Sequence, residues 1–203
     1  MRAALEPLVI ATGNPGKLRE FRELLADLPF DVLAQADLGI AAPQETGSSF
    51  LENAVLKARH AAKAAYAAAI ADDSGLEVDA LGGAPGVYSA RYAGAAAGDA
   101  ANNAKLIDAL RSTPPQRRTA RYRCVLVFVS GGADPAPLVA ARVWEGRIVD
   151  TPRGSDGFGY DPHFWLPELG MTAAELAPRE KNRLSHRGAA LSVLRARLEA
   201  RKR

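Results

Sequence analysis

The first third of the chain alternates between short apolar runs and longer segments that place apolar residues every three or four positions. Short runs of this kind predict buried strands, and the longer period predicts amphipathic helices. In chain order, the pattern predicts a strand over 8–12, a helix over 18–28, a strand over 30–34, a helix from the capping box at 49–52 to residue 66, and a strand over 67–71.

The rest of the chain continues with both patterns. Asp99 is expected to cap a helix that ends before Pro114, and strands are predicted over 121–129 and 137–144, joined by a hairpin loop of sequence SGGADPA. Residues 146–149 are expected to extend this meander, and a terminal helix is expected after 180–188. This order predicts an α/β fold with a mixed sheet flanked by helices.

Length and composition limit the domain count and the compartment. With 203 residues and 48% hydrophobic content, the chain can bury one core, so one domain, or two lobes that share a sheet, is expected. No run of about 18 apolar residues is present, and Glu6 and Pro7 interrupt the N-terminal stretch that a signal peptide would need. We therefore expect a cytoplasmic protein with no membrane partner. Cys124 is the only cysteine, which excludes an intrachain disulfide.

Two adjacent carboxylates, Asp72 and Asp73, follow the strand predicted at 67–71 and precede a Ser74-Gly75 turn. Neighbouring side chains of a strand point to opposite faces, so one of the two aspartates is expected to face a cleft. A glycine-rich loop at 82–86 comes next, and this combination suggests a metal and phosphate site. An acidic strand end followed by a surface loop is the alternative, and these residues alone leave it open.

The turn GNPG at 13–16 lies between the first predicted strand and the first predicted helix. It directs backbone N–H groups, a helix N-terminus and Lys17 towards one point, which favours an anion there. The turn differs from a Walker A loop, because only two residues separate Gly13 from the Gly16-Lys17 pair and Leu18 stands where Ser or Thr is needed. A plain strand-to-helix connection remains the alternative.

Three polar residues, Asn53, Lys57 and His60, recur at spacings of four and three on one face of the helix predicted at 49–66. Such a stripe either is solvated or lines the same cleft as the two aspartates. Glu45, in the irregular stretch before this helix, is a loop carboxylate with no obvious partner in the sequence.

The segment GSDGFGYDP at 154–162 places Phe158, Tyr160 and Asp161 among three glycines. Exposed aromatic rings beside a carboxylate suggest a platform for a planar ring with an acceptor at its edge. The alternative is a turn whose aromatic residues pack on the core. His186 and Arg187 stand near the start of the terminal helix, and the absence of a second nearby His or Cys argues against zinc.

Five motifs in this order cover nearly the whole chain: TGNPGKLREF, SFLENAVLKARHAA, ADDSGLEVDALGGAPGVYSARYAG, GFGYDP and EKNRLSHRGAAL. Together they resemble the inosine triphosphate pyrophosphatase family, the bacterial XTP/dITP diphosphatases. The resemblance implies a single family domain over 1–203 with an elongated mixed sheet, two lobes and a deep central cleft. It also implies a homodimer and Mg²⁺-dependent hydrolysis of ITP, dITP and XTP to the nucleoside monophosphate and pyrophosphate.

The same resemblance implies roles for individual residues. Asp73 is the expected general base, and Glu45 with Asp73 is expected around the metal. Residues expected to bind the substrate are Thr12, Gly13, Asn14, Pro15, Gly16 and Lys17 at the triphosphate, Ser74, and Phe158, Gly159, Tyr160, Asp161, Lys181, His186 and Arg187 at the base and sugar. We assign Asn53 and Lys57, from the polar stripe described above, to this site as well.

Two rival functions are compatible with parts of the sequence. A pyrophosphatase for modified pyrimidine triphosphates shares the phosphate chemistry but has no use for the aromatic and His-Arg base pocket. A noncatalytic nucleotide or RNA binder is motivated by the net charge of +3, the pI of about 9.2 and the basic tail at 195–203. The motifs favour the enzyme that acts on purine nucleotides, with no nucleic acid partner.

Overall fold

The computed structural model describes residues 5–201. The first four residues of the segment tested above for a signal peptide, and residues 202–203 of the basic tail, lie outside this range. Within it, seven strands form one sheet: β1 (Glu6–Ala11), β2 (Phe30–Ala34), β3 (Ala68–Val78), β4 (Thr119–Val129), β5 (Leu138–Ile148), β6 (Phe164–Leu166) and β7 (Met171–Thr172).

The strand order is β2-β1-β3-β4-β5-β6-β7. β1 pairs in parallel with β2 and with β3, whereas β6 is antiparallel to both β5 and β7. The sheet is therefore mixed, which confirms the predicted fold class. The α-helices of the described range are α1 (Pro15–Leu25), α2 (Phe50–Ala65), α3 (Asp99–Ala109), α4 (Pro178–Leu184) and α5 (His186–Arg201). None of them combines the length and the apolar character that crossing a membrane requires.

The chain divides into two compact units. The first contains residues up to Asp73, residues 125–141 and residues from Ala190 onwards, and the second contains residues 74–124 and 142–189. β3 thus passes from one unit to the other at the bond between Asp73 and Ser74. The deep cleft and the single family domain over 1–203 remain predictions.

The core of the first unit is built on β1 and the alanine face of α2. Leu8, Val9 and Ile10 are completely buried. Four alanines of α2 are buried and lie about one helical turn apart on one face: Ala54, Ala58, Ala61 and Ala62. Alanine side chains let a helix lie close against a strand, and α2 packs on β1. This packing fixes the position and rotation of α2 relative to β1. It therefore also fixes the positions of the polar residues on the opposite face of α2.

The second unit has an aromatic core. Tyr122 of β4, Phe164 of β6 and Tyr160 pack with Leu76 and Val78 of β3. Leu76 and Val78 alternate with the half-buried Glu77, which is the two-residue period of a strand. Because these residues continue the strand, Ser74 and Gly75 lie inside β3, and the turn predicted there is wrong.

Two other local predictions are corrected. The N-cap of α3 is Gly98, which makes no side-chain cap, and Asp99 lies in the first turn with its carboxylate bonded elsewhere. Residues 146–148 belong to β5 and do not form a separate strand. The Asp99 carboxylate instead accepts a hydrogen bond from the Gly159 N–H, and Arg147 and Ile148 of β5 pair with β6.

Candidate active site

The turn between β1 and α1 is held by its own side chains. Thr12 Oγ1 accepts a hydrogen bond of 3.1 Å from the Asn14 N–H, and Asn14 Oδ1 accepts one of 3.1 Å from the Lys17 N–H. Asn14 is therefore the N-cap of α1, and Pro15 occupies the first helical position, where its missing N–H costs nothing. This arrangement presents the exposed Gly13-Asn14-Pro15 backbone and the positive end of the α1 dipole at the end of β1.

Lys17 connects this turn with β3. Its Nζ lies 3.6 Å from Oδ2 of Asp72, and the Asp72 side chain is fully buried while that of Lys17 keeps 15% exposure. A buried carboxylate needs a charged partner, and Lys17 provides one. Asp72 thereby holds the lysine ammonium beside the turn.

Asp73 meets a different lysine, on α2. Lys57 Nζ donates hydrogen bonds to Asp73 Oδ1 at 2.6 Å and to Glu45 Oε1 at 3.0 Å. Asn53, one turn earlier on α2 and completely buried, donates from Nδ2 to Asp73 Oδ2 at 3.4 Å. The predicted polar stripe therefore converges on the strand aspartate. His60 does not join it, because its Nε2 lies 2.9 Å from the backbone oxygen of Ala41.

Burial and charge act in opposite directions on this cluster. Burial raises the pKa of Asp73 above its ordinary value, although the charges of Lys57 and Lys17 pull it down. Burial would lower the pKa of Lys57, but Asp73 and Glu45 outweigh it and the net change is upward. Lys57 therefore keeps its charge, and Asp73 is a stronger base than an exposed aspartate.

A glycine outside the predicted set supports the cluster. The Gly47 N–H donates to Asn53 Oδ1 at 2.8 Å, so Asn53 bridges the loop that carries Glu45 and the strand that carries Asp73. A Cβ at Gly47 would lie 2.6 Å from Asn53 Oδ1 and 2.7 Å from Glu52 Cβ. Only glycine fits this approach, and its position just before the capping box was the available signal.

Glu45 and Asp73 have the donor chemistry that a hard divalent cation requires. Mg²⁺ takes oxygen ligands and keeps several waters, so one or two carboxylates plus substrate phosphates are sufficient. The two carboxylates already share one cation, the Lys57 ammonium. Among residues 5–201, no group of three or more His, Cys, Asp or Glu side chains could hold a metal. The residues fit an ion whose coordination is completed by the substrate.

The second unit brings together the predicted residues from the C-terminal half. Asp161 Oδ2 accepts hydrogen bonds from Lys181 Nζ at 2.6 Å and from the Phe158 N–H at 2.8 Å. Lys181 Nζ and the Arg187 guanidinium lie 4.7 and 5.8 Å from the centre of the Phe158 ring. Two cations and one buried carboxylate thus fix the half-buried Phe158.

Arg187 also reaches the beginning of this unit's part of β3. Its Nη2 donates to Ser74 Oγ at 3.0 Å, although 113 residues separate the two in sequence. His186, next to it, is buried and stacks on Tyr122 with ring centroids 4.8 Å apart. The structure therefore gathers Ser74, Phe158, Asp161, Lys181, His186 and Arg187 within one unit.

Tyr160 is placed differently from the expectation of an exposed ring. It keeps only 4% exposure, packs in the core of the second unit and donates from its hydroxyl to the Ser89 carbonyl at 2.8 Å. For this residue the alternative, a turn whose aromatic ring packs on the core, describes the side chain. A substrate contact by Tyr160 stays a prediction.

Two residues of α3 hold the glycine loop, Asp99, which was expected only as a helix cap, and Asn103, which lay outside the predicted set. Asp99 Oδ2 accepts from the Gly159 N–H at 2.6 Å, and Asn103 Nδ2 donates to the Gly159 carbonyl at 2.8 Å. Asp99 and Asn103 are one helical turn apart, so one helix face fixes both backbone polar groups of Gly159. The i, i+4 spacing of two polar residues was the signal that could have identified them.

The predicted residues fall into two sets, one in each unit. The first contains Thr12, Gly13, Asn14, Pro15, Gly16, Lys17, Glu45, Asn53, Lys57 and Asp73, and the second contains Ser74, Phe158, Gly159, Tyr160, Asp161, Lys181, His186 and Arg187. The first set offers cations and carboxylates, and the second offers a ring, donors and one acceptor. Their individual roles remain predictions.

Comparisons with known proteins show the family of the chain. The family model described as the Ham1 family matches residues 8–197. A dITP/XTP pyrophosphatase of Yersinia pestis is 55% identical over 190 residues, which cover 94% of this chain and 96% of the relative. The dITP/XTP pyrophosphatase of Escherichia coli is 53% identical over the same length and share of each chain.

Solved structures show the same fold. A Ham1 protein from Coxiella burnetii is 47% identical and superposes with a TM-score of 0.89, covering 97% of this chain and 100% of its own. The Ham1 protein of Staphylococcus aureus is 42% identical with a TM-score of 0.84 and the same coverage. On these similarities, the chain belongs to the Ham1 family.

Proposed function

We propose that this protein hydrolyses non-standard purine nucleoside triphosphates, ITP, dITP and XTP, to the nucleoside monophosphate and pyrophosphate with the aid of Mg²⁺. The observation that carries the proposal is the convergence of Glu45 and Asp73 on the single ammonium of Lys57, with the ammonium of Lys17, in the first turn of α1, 3.6 Å from the neighbouring Asp72. The names of the relatives support the substrate class.

The triphosphate is bound by the first set of residues. The exposed residue Gly13 offers its backbone N–H, and the N-terminus of α1 offers the positive end of its dipole, to phosphate oxygens. Lys17 and Lys57 add two charges, each kept in place by a buried carboxylate. Preorganised donors of this kind stabilise the charge that builds up as the phosphate bond breaks.

Asp73 acts as the general base. It takes a proton from the water that attacks the α-phosphorus while the bond from that phosphorus to the bridging oxygen breaks and pyrophosphate leaves. Its raised pKa suits this task, because a stronger base accepts the proton more readily. Glu45 and Asp73 would hold Mg²⁺, which neutralises phosphate charge when bound.

The second set of residues recognises the base. Hypoxanthine and xanthine carry a carbonyl at the position where adenine carries an amine, so donors on His186 and Arg187 favour the 6-oxo bases. Adenine would present a donor to these donors. Phe158, fixed by Lys181 and Arg187, is the aromatic surface available to a purine ring.

We further propose that the enzyme is a homodimer that acts in the cytoplasm on free nucleotides. The family resemblance supports the homodimer, and the cytoplasmic location is the expectation from the sequence. Light scattering on the purified protein during size-exclusion chromatography tests the dimer, and a mass near 21.5 kDa, that of one chain, would contradict it.

The activity is tested by incubating the protein with ITP, XTP, GTP and ATP and measuring pyrophosphate release with Mg²⁺ and with EDTA. We expect release from ITP and XTP that depends on Mg²⁺, and little from ATP or GTP. Binding of nucleotide without release of pyrophosphate would instead favour the noncatalytic binder. Release of orthophosphate would show cleavage at another bond.

The role of Asp73 is tested by Asp73→Asn. Loss of a positioned general base lowers kcat by about 10²- to 10⁴-fold, while ITP binding measured by calorimetry is retained. Asp31→Asn is the matched control, because Asp31 is an exposed carboxylate on β2. Near-normal turnover of Asp73→Asn would remove Asp73 from this role.

A further inference from the structure

Tyr122 of β4 touches two residues of the proposed base site, although nothing in its sequence context marks it as part of that site. It is buried in the aromatic core of the second unit with 7% exposure. Its hydroxyl meets Asp161 and its ring meets His186. These contacts come from different parts of one side chain, so they can be removed separately.

The hydroxyl contact fixes the orientation of a carboxylate. Tyr122 donates to Asp161 Oδ1 at 3.1 Å, whereas Lys181 and the Phe158 N–H both bind Asp161 Oδ2. The terminal torsion of aspartate has a broad, shallow preference, so bonds to one oxygen alone leave it free to turn. The Tyr122 hydroxyl is therefore the bond that holds the other oxygen.

The hydroxyl keeps its proton under all ordinary conditions. Burial raises the pKa of Tyr122 well above its usual value, and the negative charge of Asp161 raises it further. A neutral phenol can only donate to a carboxylate, which makes the direction of this hydrogen bond unambiguous.

The ring contact fixes an imidazole. The rings of Tyr122 and His186 are nearly parallel, at 10° with centroids 4.8 Å apart. Tyr122 also packs against Phe164 of the core, with ring centroids 4.5 Å apart, so the Tyr122 ring cannot tilt without disturbing the core. Because the core holds the Tyr122 ring in place, the imidazole of His186 that stacks on it is held in place as well.

We propose that Tyr122 is a positioning residue for recognition of the purine base, acting through Asp161 with its hydroxyl and through His186 with its ring. The inference rests on the proposed function, since it assumes that Asp161 and His186 contact the base. It assigns no role to Tyr122 in binding the triphosphate or in the attack of water.

Tyr122→Phe removes the hydroxyl and keeps the stack. The test compares ITP with methyl triphosphate, which has the same phosphate chain and no base. We expect KM for ITP to rise about 10- to 150-fold, the range for one lost hydrogen bond to a charged group, with kcat changed less than about twofold. The value of kcat/KM for methyl triphosphate should stay within about twofold. Tyr88→Phe, at an exposed tyrosine of the same unit, is the matched control.

Binding of inosine monophosphate, measured by calorimetry, gives a second readout that does not depend on catalysis, and its Kd should rise by the same factor. Unchanged KM and Kd in Tyr122→Phe, with active wild-type enzyme, would overturn the inference alone. An equal loss on ITP and methyl triphosphate together with a lower Tm would assign Tyr122 a purely structural role and also overturn it. A wild-type protein that leaves ITP intact would overturn the proposed function itself.

Discussion

The ammonium of Lys57 lies 2.6 Å from Oδ1 of Asp73, and both side chains keep about a tenth of their surface exposed. Each side chain alone would be costly to bury as an ion. Together they stay charged, with Glu45 as a second partner of the ammonium. The pair therefore influences the pKa of Asp73, and the pH dependence of the reaction rate measures this influence.

Lys57→Met should move the acidic limb of the pH–rate profile to higher pH. Lys57 lowers the pKa of Asp73, so its removal leaves burial unopposed at that position and the pKa rises further. A general base works only when deprotonated, so activity is lost at a higher pH as the solution is acidified. The profile of kcat/KM for ITP between pH 4 and 9 gives the shift of the acidic limb, and it does so even if Lys57→Met is less active than the wild type.

Lys63→Met is the control for this experiment, because Lys63 is an exposed lysine on the same helix. Its profile should coincide with that of the wild type. If the acidic limb of the Lys57→Met profile lies at the same pH as that of the wild type, another group limits the rate at low pH.

Gly47→Ala should raise the Mg²⁺ concentration required for half-maximal activity. The added Cβ would meet Asn53 Oδ1 at 2.6 Å, so the loop moves and carries Glu45 with it. Gly131→Ala, whose Cβ would have no neighbour within 4 Å, controls for the loss of a loop glycine in the same unit. A Mg²⁺ dependence identical to that of the wild type would show that Glu45 does not need this loop geometry.

Much of the first unit followed from local signals in the sequence. The period of apolar residues located β1, β2 and α2, and Phe30–Ala34 has the predicted bounds. The polar stripe of α2 indicated that Asn53 and Lys57 lie on one face, and the structure adds that both meet Asp73. Glu45 had no partner in sequence because its partner, Lys57, is 12 residues away on another element.

The second unit was harder to predict because its site depends on contacts distant in sequence. Arg187 reaches Ser74 across 113 residues and Tyr122 reaches Asp161 across 39, and no periodicity encodes such pairs. Tyr160 shows the same limit, because its glycine-rich sequence context suggested an exposed ring whereas the ring packs in the core. Local patterns predict which elements form and which faces they bury, whereas tertiary packing selects which side chains meet.

Asn103→Ala should weaken binding of ITP with little effect on methyl triphosphate. It removes the hydrogen bond to the Gly159 carbonyl, so of the two bonds between α3 and Gly159 only the one from the Gly159 N–H to Asp99 remains. One neutral hydrogen bond corresponds to about a 3- to 10-fold rise in KM for ITP. Asp108→Ala, on an exposed part of α3, is the control. Equal losses on both substrates would place the effect outside base binding.

Asp134→Asn should destabilise the protein at neutral pH and much less in acid. Asp134 is buried, which alone would raise its pKa, but hydrogen bonds from the backbone of Ser130 and Ala136 and from the Ser130 hydroxyl outweigh burial and lower it. Because the folded-state pKa lies below the unfolded value of about 3.9, the carboxylate stabilises the fold above about pH 4. That stabilisation is lost as the pH falls further, towards the folded-state pKa.

Urea unfolding at pH 7 should show that the free energy of unfolding of Asp134→Asn is lower than that of the wild type by about 1–3 kcal/mol, and the difference should shrink at pH 3. A difference that stays constant between these two pH values would show that the charge of Asp134 is not what holds the hairpin loop.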